Sequence, residues 1–271
     1  MPEKLDGATR LFPIIGDPIE FVKSPQQLTR GFKLRDYNGL CVPMQVAKAD
    51  LEPVMQALTL TGNVDGLLVT MPHKVAAFAC CATSSDTARL LRCVSVIRRN
   101  PDGTWHGDML DGLAFVKAQT DRGARLKDGR ALLVGAGAAG SAIAIALLTA
   151  GVRELIIYDA DESRATHLKA LLSDLDRNRV RVGPADPVGC TLVFNATPMG
   201  LAETDPLPVS ADLLDSSMFV GDVIAGHGMT PLLKAAQSAG CKTSSGVEMV
   251  DAVQEMMLDF FLLGQHSGRS T

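Results

Sequence analysis

A glycine-rich segment at residues 135–140, Gly-Ala-Gly-Ala-Ala-Gly, is the feature that most constrains the fold. It follows the apolar run at 131–134 and precedes an alanine-rich stretch at 141–148. A buried strand leading through such a turn into a helix is typical of a Rossmann unit, which binds a dinucleotide pyrophosphate at the helix start. Glycine is needed because a Cβ atom would block both the tight turn and the approach of phosphates to backbone N–H groups. The sequence therefore predicts a dinucleotide site at this turn.

The next apolar run favours this prediction over its alternative, a glycine-rich turn without a ligand. Residues 155–158, Leu-Ile-Ile-Tyr, are typical of a strand, and this strand ends at Asp159. An acidic residue about 20 positions after the turn is expected to accept hydrogen bonds from ribose hydroxyls. The strand, turn, helix, second strand and acidic residue thus follow the order expected of a dinucleotide-binding Rossmann unit.

Composition favours a small-molecule ligand over a macromolecular partner. The chain has 271 residues, 46% of them hydrophobic, which is enough for one large or two ordinary domains. Its net charge of −4 and lack of a dense basic run argue against nucleic acid or an acidic membrane as partner. The N-terminal residues lack signal-peptide features, and no apolar run approaches membrane-spanning length.

The number and spacing of the cysteines indicate the cellular compartment and whether a metal site is expected. The six cysteines form no CxxC pair and no zinc-type spacing with the five histidines. We therefore expect reduced thiols, no metal site and a cytoplasmic location.

The first half of the chain predicts a separate parallel-sheet domain. Strand patterns at 10–16, 39–47 and 64–70 alternate with helices that start near Ser24-Pro25 and Asp50. Ser24 is expected to be the N-cap of its helix, with proline at the first helical position. Alternation of strand and helix before the glycine turn implies two domains in all.

The second half continues the nucleotide domain. A strand at 191–194 stops at residues 195–200, Asn-Ala-Thr-Pro-Met-Gly, and another strand is predicted at 219–224. Ligands gather at such strand ends. Thr230-Pro231 opens a helix, and a final helix at 247–263 carries a wide apolar surface, so we expect it to be packed.

Motifs spread over nearly the whole chain occur in a recognisable order: Gly16-Asp17-Pro18-Ile19, Ser24-Pro25, Val69-Thr70-Met71-Pro72-His73-Lys74, Asp111-Gly112, residues 135–139, residues 195–200, Thr230-Pro231-Leu232-Leu233, Gly246 and Met249. Together they resemble the shikimate dehydrogenase family. The resemblance implies an α/β fold with an N-terminal parallel-sheet substrate domain, a Rossmann NAD-binding domain and a C-terminal helix returning to the first domain. The implied limits are 1–110, completed by 246–271, and 111–245.

The resemblance also implies a reaction, the oxidation of a ring hydroxyl of a cyclic hydroxy acid by hydride transfer to nicotinamide. Lys74 and Asp111 match the catalytic pair of the family. Hydride departure leaves a hydroxyl proton that nicotinamide cannot take, whereas a lysine in a cleft can accept it and an aspartate can orient it. Alternatives are a solvated lysine at a helix start and an N-cap aspartate. Positive charge is unfavourable at a helix start, which weakens the first alternative.

Other site residues follow from matching positions. Candidates for substrate contact are Ser24, Thr70, Ser95 and Gln254. Candidates for cofactor contact are Gly135, Ala136, Gly137, Ala138, Ala139, Asp159, Asn195, Thr197, Val223, Gly246 and Met249. Thr70 is explained equally well as an ordinary strand-end threonine, Met249 as a core residue, and His73 as a support for its turn.

The chain departs from the family where polar groups usually hold the substrate. The positions concerned are Val22, Ser95, Met109, Leu110, Ala225 and Val253, with Gln254 one place beyond the last. We therefore expect the reaction class to be kept and the substrate to differ from shikimate. The alternatives are an ordinary shikimate or quinate dehydrogenase and a catalytically silent nucleotide-binding regulator, the latter disfavoured because Lys74 and Asp111 are both present.

Cofactor preference depends on residues 159–161, Asp-Ala-Asp, where NADP-using relatives place an Asn-Arg-Thr-like basic cluster. A carboxylate at this strand end favours a free ribose over a 2′-phosphate. NAD is therefore expected over NADP, and Arg164 is the residue placed to oppose this preference. We expect the protein to be a monomer or a homodimer.

Overall fold

The computed structural model describes residues 5–20, 22–176, 178–202, 204–225 and 228–263. These form two compact units, one from residues up to Leu110 together with those from Gln254 onward, the other from Asp111 to Val253. The predicted domain limits also include residues 1–4 and 264–271, which lie outside the described residues. Of the helices in the described ranges, none combines the length and apolar character needed to cross a bilayer.

The first unit is a six-stranded sheet with helices between its strands. Its elements are β1 (Arg10–Gly16), α1 (Ser24–Leu34), β2 (Gly39–Gln45), α2 (Leu51–Leu60), β3 (Gly66–Val69), α3 (Lys74–Phe78), β4 (Thr83–Ser84), α4 (Asp86–Leu91), β5 (Val96–Arg99) and β6 (Trp105–Asp108). The sheet order is β2-β1-β3-β5-β6-β4. Strands β1, β2 and β3 are parallel, and β3 is buried along its length, as expected for strands covered on both faces.

Strand β5 is the exception to the predicted parallel arrangement. It pairs antiparallel with both β3 and β6. The β5–β6 pair is a hairpin whose loop includes Gly103 at φ +86°, a left-handed conformation that suits glycine. Residues 100–104 thus join two adjacent strands, and an antiparallel pair needs only such a short connection.

The second unit is a Rossmann sheet. Its elements are α5 (Asp111–Asp121), β7 (Arg130–Val134), α6 (Ala138–Thr149), β8 (Glu154–Tyr158), α7 (Glu162–Asp176), β9 (Val180–Val182), β10 (Leu192–Asn195), β11 (Phe219–Asp222), α8 (Pro231–Ser238), β12 (Lys242–Ser244) and the first half of α9 (Gly246–Leu262). The order β12-β11-β10-β7-β8-β9 is that of a dinucleotide-binding domain, with the strand order reversing between β7 and β10. The α/β class and the Rossmann sheet predicted from the sequence are confirmed.

The second half of α9 belongs to the first unit. Leu258 packs against Gly31 of α1, where a Cβ atom would collide with it, and the Phe261 ring lies 5.0 Å from that of Phe12 in β1. Arg35 forms ion pairs with Glu255 (2.7 Å) and Asp259 (2.5 Å). The predicted apolar surface of the last helix is therefore packed.

The predicted N-cap Ser24 differs from the structure, and the helix expected to start near Asp50 begins at Leu51. Ser24 is the first residue of α1, Lys23 occupies the N-cap position, and no side chain caps this helix. Asp50 is the N-cap of α2 but makes no side-chain capping bond, because residues 48–50 form a short 3₁₀ helix that leads directly into α2. Thr230 does cap α8, accepting a hydrogen bond from the Leu233 N–H.

Candidate active site

The glycine turn lies at the carboxyl end of β7, beside the point where the strand order reverses. Gly135 has φ +109°, and a Cβ atom there would lie 2.8 Å from Cγ2 of Thr197. A Cβ atom on Gly140 would overlap the carbonyl oxygen of Gly135. Tight packing of the backbone thus explains these two glycines.

Gly137 is different, because a Cβ atom there would meet nothing within 4 Å. It is the N-cap of α6, it has ordinary dihedrals (φ −75°, ψ −169°), and no side chain caps the helix. The start of α6 therefore presents backbone N–H groups and the positive end of the helix dipole to open space, which suits a phosphate group. The residues present fit a dinucleotide cofactor.

Asp159 follows β8 and reaches back to the glycine turn. Its Oδ2 accepts a hydrogen bond from the Ala136 N–H (2.7 Å), and its Oδ1 accepts one from the Asp161 N–H (2.9 Å). Each carboxylate oxygen can accept a further bond, as ribose hydroxyls would require. The nearby Arg164 pairs with Asp161, with 3.4 Å between Nε and Oδ2.

The loop after β10 is held by a buried hydrogen-bond network. The Asn195 Oδ1 accepts bonds from the Thr197 N–H (3.0 Å) and hydroxyl (2.6 Å), and its Nδ2 donates to Oδ1 of Asp222 (3.1 Å). Asp222 also accepts from the Thr230 hydroxyl (2.8 Å) and the Ile224 N–H (3.1 Å). Desolvation raises the pKa of the Asp222 carboxyl, against the opposing effect of these donors. The network fixes the ends of β10 and β11 at one edge of the sheet.

Sequence reasoning did not single out Asp222. The available signal was an acidic residue at the end of an apolar strand, the same pattern that identified Asp159. Asp222 is fully buried, so it acts by positioning Asn195 and the chain after β11.

Val223 and Gly246 meet at this edge. The Gly246 N–H donates to the carbonyl of Ile224 (3.2 Å), and a Cβ atom on Gly246 would collide with the carbonyl of Val223. Met249 is half-buried in the first turns of α9. The structure thus brings the predicted cofactor residues from 135 to 246 together at the carboxyl ends of β7, β8, β10 and β11.

In the first unit, the carboxyl ends of β1, β2 and β3 are tied together. The Thr70 N–H donates to the Ile15 carbonyl (2.9 Å), and the side chain of Thr70 lies against Gly16. The buried His73 donates through Nε2 to the carbonyl of Val46 (2.7 Å), which supports the turn as anticipated. Lys74 follows as the first residue of α3 and is half-buried.

The other predicted substrate residues have structural contacts. The buried Ser95 accepts the Leu110 N–H on Oγ (3.0 Å), which fixes the backbone directly before Asp111, the buried first residue of α5. Gln254 donates through Nε2 to the carbonyl of Gln27 in α1 (2.7 Å). Among the positions that depart from the family, Met109 and Leu110 are only 1% and 5% exposed.

Comparisons with known proteins agree with this arrangement. A family model described as shikimate dehydrogenase substrate binding domain matches residues 14–97, and a ThiF family model matches residues 112–173. A shikimate dehydrogenase (NADP(+)) of Rubrobacter xylanophilus is 33% identical over 253 residues, covering 91% of this chain and 88% of that protein.

Solved structures are similar over almost the whole chain. Quinate dehydrogenase from Corynebacterium glutamicum in complex with NAD has a TM-score of 0.85 and 27% identity, covering 93% of each chain. Shikimate 5-dehydrogenase from Listeria monocytogenes in complex with shikimate and NAD has a TM-score of 0.90, covering 97% of this chain and 95% of that one; at 24% identity it supports the fold. Together with the relative above, these similarities show that the chain belongs to the shikimate dehydrogenase family, oxidoreductases that act on a CH–OH group with NAD(P).

Proposed function

We propose that this chain oxidises a ring hydroxyl of a shikimate- or quinate-like cyclic hydroxy acid, with NAD as the preferred cofactor and a substrate other than shikimate. The main support for NAD as the cofactor is the Asp159 carboxylate, which accepts a hydrogen bond from the glycine turn. The main support for a substrate other than shikimate is the set of apolar or buried residues at positions where the family has polar groups.

The cofactor would be held by residues 135–139 at its phosphates and Asp159 at its ribose, with Asn195, Thr197, Val223, Gly246 and Met249 contacting the rest. When bound, a nicotinamide cofactor supplies the acceptor for the hydride that leaves the ring carbon. Gly137 keeps the start of α6 accessible to phosphate oxygens, since nothing occupies the space beside its Cα atom. The Asn195–Asp222 hydrogen bond keeps the loop after β10 in place.

Proton transfer is assigned to Lys74 and Asp111. Oxidation of an alcohol releases a hydroxyl proton together with the hydride, and a positioned base lowers the barrier to its removal. We assign Lys74 as the group that accepts this proton and Asp111 as the group that orients it. Ser24 and Thr70 are the remaining hydroxyl-bearing candidates for holding substrate. Ser24 is the first residue of α1 and is half-buried.

Preference for NAD follows from charge. The Asp159 carboxylate would repel a 2′-phosphate, whereas it can accept hydrogen bonds from ribose hydroxyls. Arg164 is drawn to Asp161 by their ion pair, which limits its ability to offset this repulsion. The relative from R. xylanophilus is named for NADP(+), so this preference would separate the two proteins.

Cofactor titration tests this preference. We expect NAD to bind at least tenfold more tightly than NADP, and Asp159→Asn to narrow that difference. The matched control is Asp186→Asn, which removes an exposed carboxylate from another loop of the same unit and should leave the ratio unchanged. NADP binding by the unmodified protein as tightly as NAD would contradict the assignment of Asp159.

A substrate other than shikimate is indicated by the residues at the positions that match the family's substrate contacts. The side chains of Met109 and Leu110 are buried, and the Ser95 hydroxyl already accepts a hydrogen bond from the Leu110 N–H. Val22 is half-buried and Ala225 is exposed, so these two can contact a ligand, but their side chains offer it no hydrogen bond. The ligand should therefore keep the oxidisable hydroxyl and carry fewer hydroxyls elsewhere. A panel of cyclic hydroxy acids, screened for NAD reduction, tests this.

An NAD-dependent quinate dehydrogenase is the second candidate. It is favoured by the similarity to the C. glutamicum quinate dehydrogenase, whose structure contains NAD. The same panel separates the two, because quinate would then give the highest kcat/KM. We place either activity in the cytoplasm, since Cys41, Cys80, Cys81, Cys190 and Cys241 are free thiols, as is usual in a reducing compartment.

A further inference from the structure

The second unit has a cavity of about 400 Å³ that the reaction does not use. Its walls include Gly129, Thr191, Phe219 and Lys242, which lie at or directly before the first residues of β7, β10, β11 and β12. In a parallel sheet these amino ends share one edge, opposite the carboxyl ends that carry the glycine turn. With five residues in β7, the two edges are roughly 15 Å apart. This cavity is therefore separate from the cofactor site.

Three cationic side chains line the cavity, Arg125, Lys127 and Lys242, and Asp128 is the only carboxylate among its lining residues within the described ranges. Lys242 extends from β12 toward Gly123, since its Nζ lies 4.0 Å from the position of a Cβ atom on that residue. Three like charges around one cavity repel each other, and a bound anion would relieve this repulsion.

These cations differ from basic residues nearby. Arg130 pairs with Glu154 at 3.0 Å, and Arg122 lies 3.5 Å from Glu248. By contrast, Arg125, Lys127 and Lys242 form no ion pair with any residue in the part of the chain that the structure describes. The lining side chains of the cavity thus carry three positive charges against the single negative charge of Asp128.

Two of the three lining hydroxyls, those of Ser217 and Thr191, already donate to the protein, and Ser216 is the third. Ser217 donates its proton to Oδ1 of Asp215 (2.5 Å), and Thr191 donates to the carbonyl of Arg130 (3.4 Å). Ligand recognition would therefore depend mainly on the guanidinium and the two ammonium groups, which bind phosphate and carboxylate oxygens. A volume of about 400 Å³ is within the range of small-molecule sites.

We propose that this cavity binds a small multiply charged anion, through Arg125, Lys127 and Lys242, at a site distinct from the cofactor site. The shared chemistry of the ligand is two or more phosphate or carboxylate groups on a small molecule. The proposal stands independently of the reaction proposed above.

Calorimetric titration of the full chain at fixed ionic strength tests the proposal, with pyrophosphate and citrate as probes. The protein is first saturated with its nicotinamide cofactor, so that the glycine turn is not available to pyrophosphate. Fixed ionic strength is needed because salt screens exposed charges. We expect one saturating site per chain for at least one probe, and the tighter probe identifies phosphate or carboxylate as the preferred group.

Two double variants make the test specific. Lys127→Gln with Lys242→Gln should weaken binding of the tighter probe by roughly tenfold, since two of the three cations are lost. The matched control is Lys169→Gln with Lys234→Gln, which removes the same charge from exposed positions on α7 and α8 of the same unit and should change binding less than twofold. Circular dichroism verifies that both remain folded.

Three outcomes would overturn the proposal. They are the absence of saturable binding for both probes, equal weakening in the two double variants, and unchanged binding in Lys127→Gln with Lys242→Gln. Equal weakening would mean that net charge, rather than the cavity, attracts the anion.

Discussion

Lys74 is held in position by its own backbone and by the residues before it. Its carbonyl accepts the Val94 N–H (2.9 Å), and the preceding His73 is anchored to Val46. We predict that Lys74→Ala lowers kcat by ~10²–10⁴-fold, the usual value of a positioned acid or base. NAD affinity should hardly change, because the lysine belongs to the first unit and the glycine turn to the second.

The control for Lys74→Ala is Lys48→Ala, which removes an exposed lysine from the 3₁₀ helix before α2 in the same unit. Its activity should match that of the unmodified protein. If Lys74→Ala retains most of the activity under conditions where both variants are folded, Lys74 is not the proton acceptor. Steady-state kinetics measure kcat, and cofactor titration measures NAD affinity.

At the scale of single residues, the sequence predicts roles that depend on local neighbours. The glycine turn and Asp159 belong to one continuous strand–turn–helix–strand pattern, so their contact could be anticipated. The bond from Leu110 to Ser95 joins residues 15 positions apart across the first unit, and no local pattern indicates it. For the same reason, the role of Asp222, which binds Asn195 at a separation of 27 residues, appears only in the structure.

At the scale of elements, the turn between β7 and α6 offers a test that separates packing from ligand binding. Gly137→Ala places a methyl group in open space at permitted dihedrals. We predict a loss of less than about 1 kcal/mol in stability, since alanine is only a poorer N-cap than glycine. Cofactor affinity should nevertheless fall at least tenfold, because the methyl group occupies the approach of the phosphates.

Gly140→Ala is the matched variant in the same helix. Its methyl group would overlap the carbonyl of Gly135, so the backbone must shift, which costs about 1–3 kcal/mol. Thermal unfolding of both variants measures the loss of stability, and cofactor titration measures the loss of affinity. Unchanged cofactor affinity in Gly137→Ala would contradict the placement of the pyrophosphate.

Element types were more predictable than element boundaries. The longer strands of both sheets follow from their apolar runs, because strands buried on both faces are apolar throughout. The short strands β4, β9 and β12 have two or three residues each, too few to produce a pattern. The start of α1 at Ser24 differs from the prediction by one residue, because Lys23 takes the N-cap position although it cannot cap through a side-chain oxygen.

At the scale of the whole molecule, buried thiols make stability depend on alkaline pH. Burial raises the pKa of the buried Cys41 thiol from 9.0 to about 12, and burial together with the neighbouring Cys80 does the same for the half-buried Cys81 thiol. The folded state thus keeps these thiols neutral while the unfolded chain ionises them. This stabilisation is complete below pH 9 and is lost as the pH rises toward 12. At pH 10.5 the loss for one such thiol is roughly 2 kcal/mol.

We therefore predict that Tm falls between pH 8.5 and pH 10.5, and that Cys41→Ala reduces this fall while lowering Tm at pH 8.5 through the lost packing. Cys80→Ala is the control, because the pKa of this half-buried thiol is raised less than that of Cys41, so it should account for a smaller part of the fall. Thermal unfolding of the three proteins at several pH values measures the effect. An identical fall in all three would contradict the assigned role of Cys41.

The central claim is that the chain retains the dehydrogenase chemistry of its family on a changed substrate. Steady-state kinetics with NAD, comparing shikimate, quinate and less hydroxylated cyclic acids, tests it most directly. Two unpaired polar groups would cost roughly 2–6 kcal/mol, which is at least tenfold in kcat/KM. We predict that a less hydroxylated acid is used within the ~10⁴–10⁸ M⁻¹s⁻¹ range of good substrates, with shikimate at least tenfold below it. A kcat/KM for shikimate inside that range and above the other acids would contradict the account and make the chain an ordinary shikimate dehydrogenase.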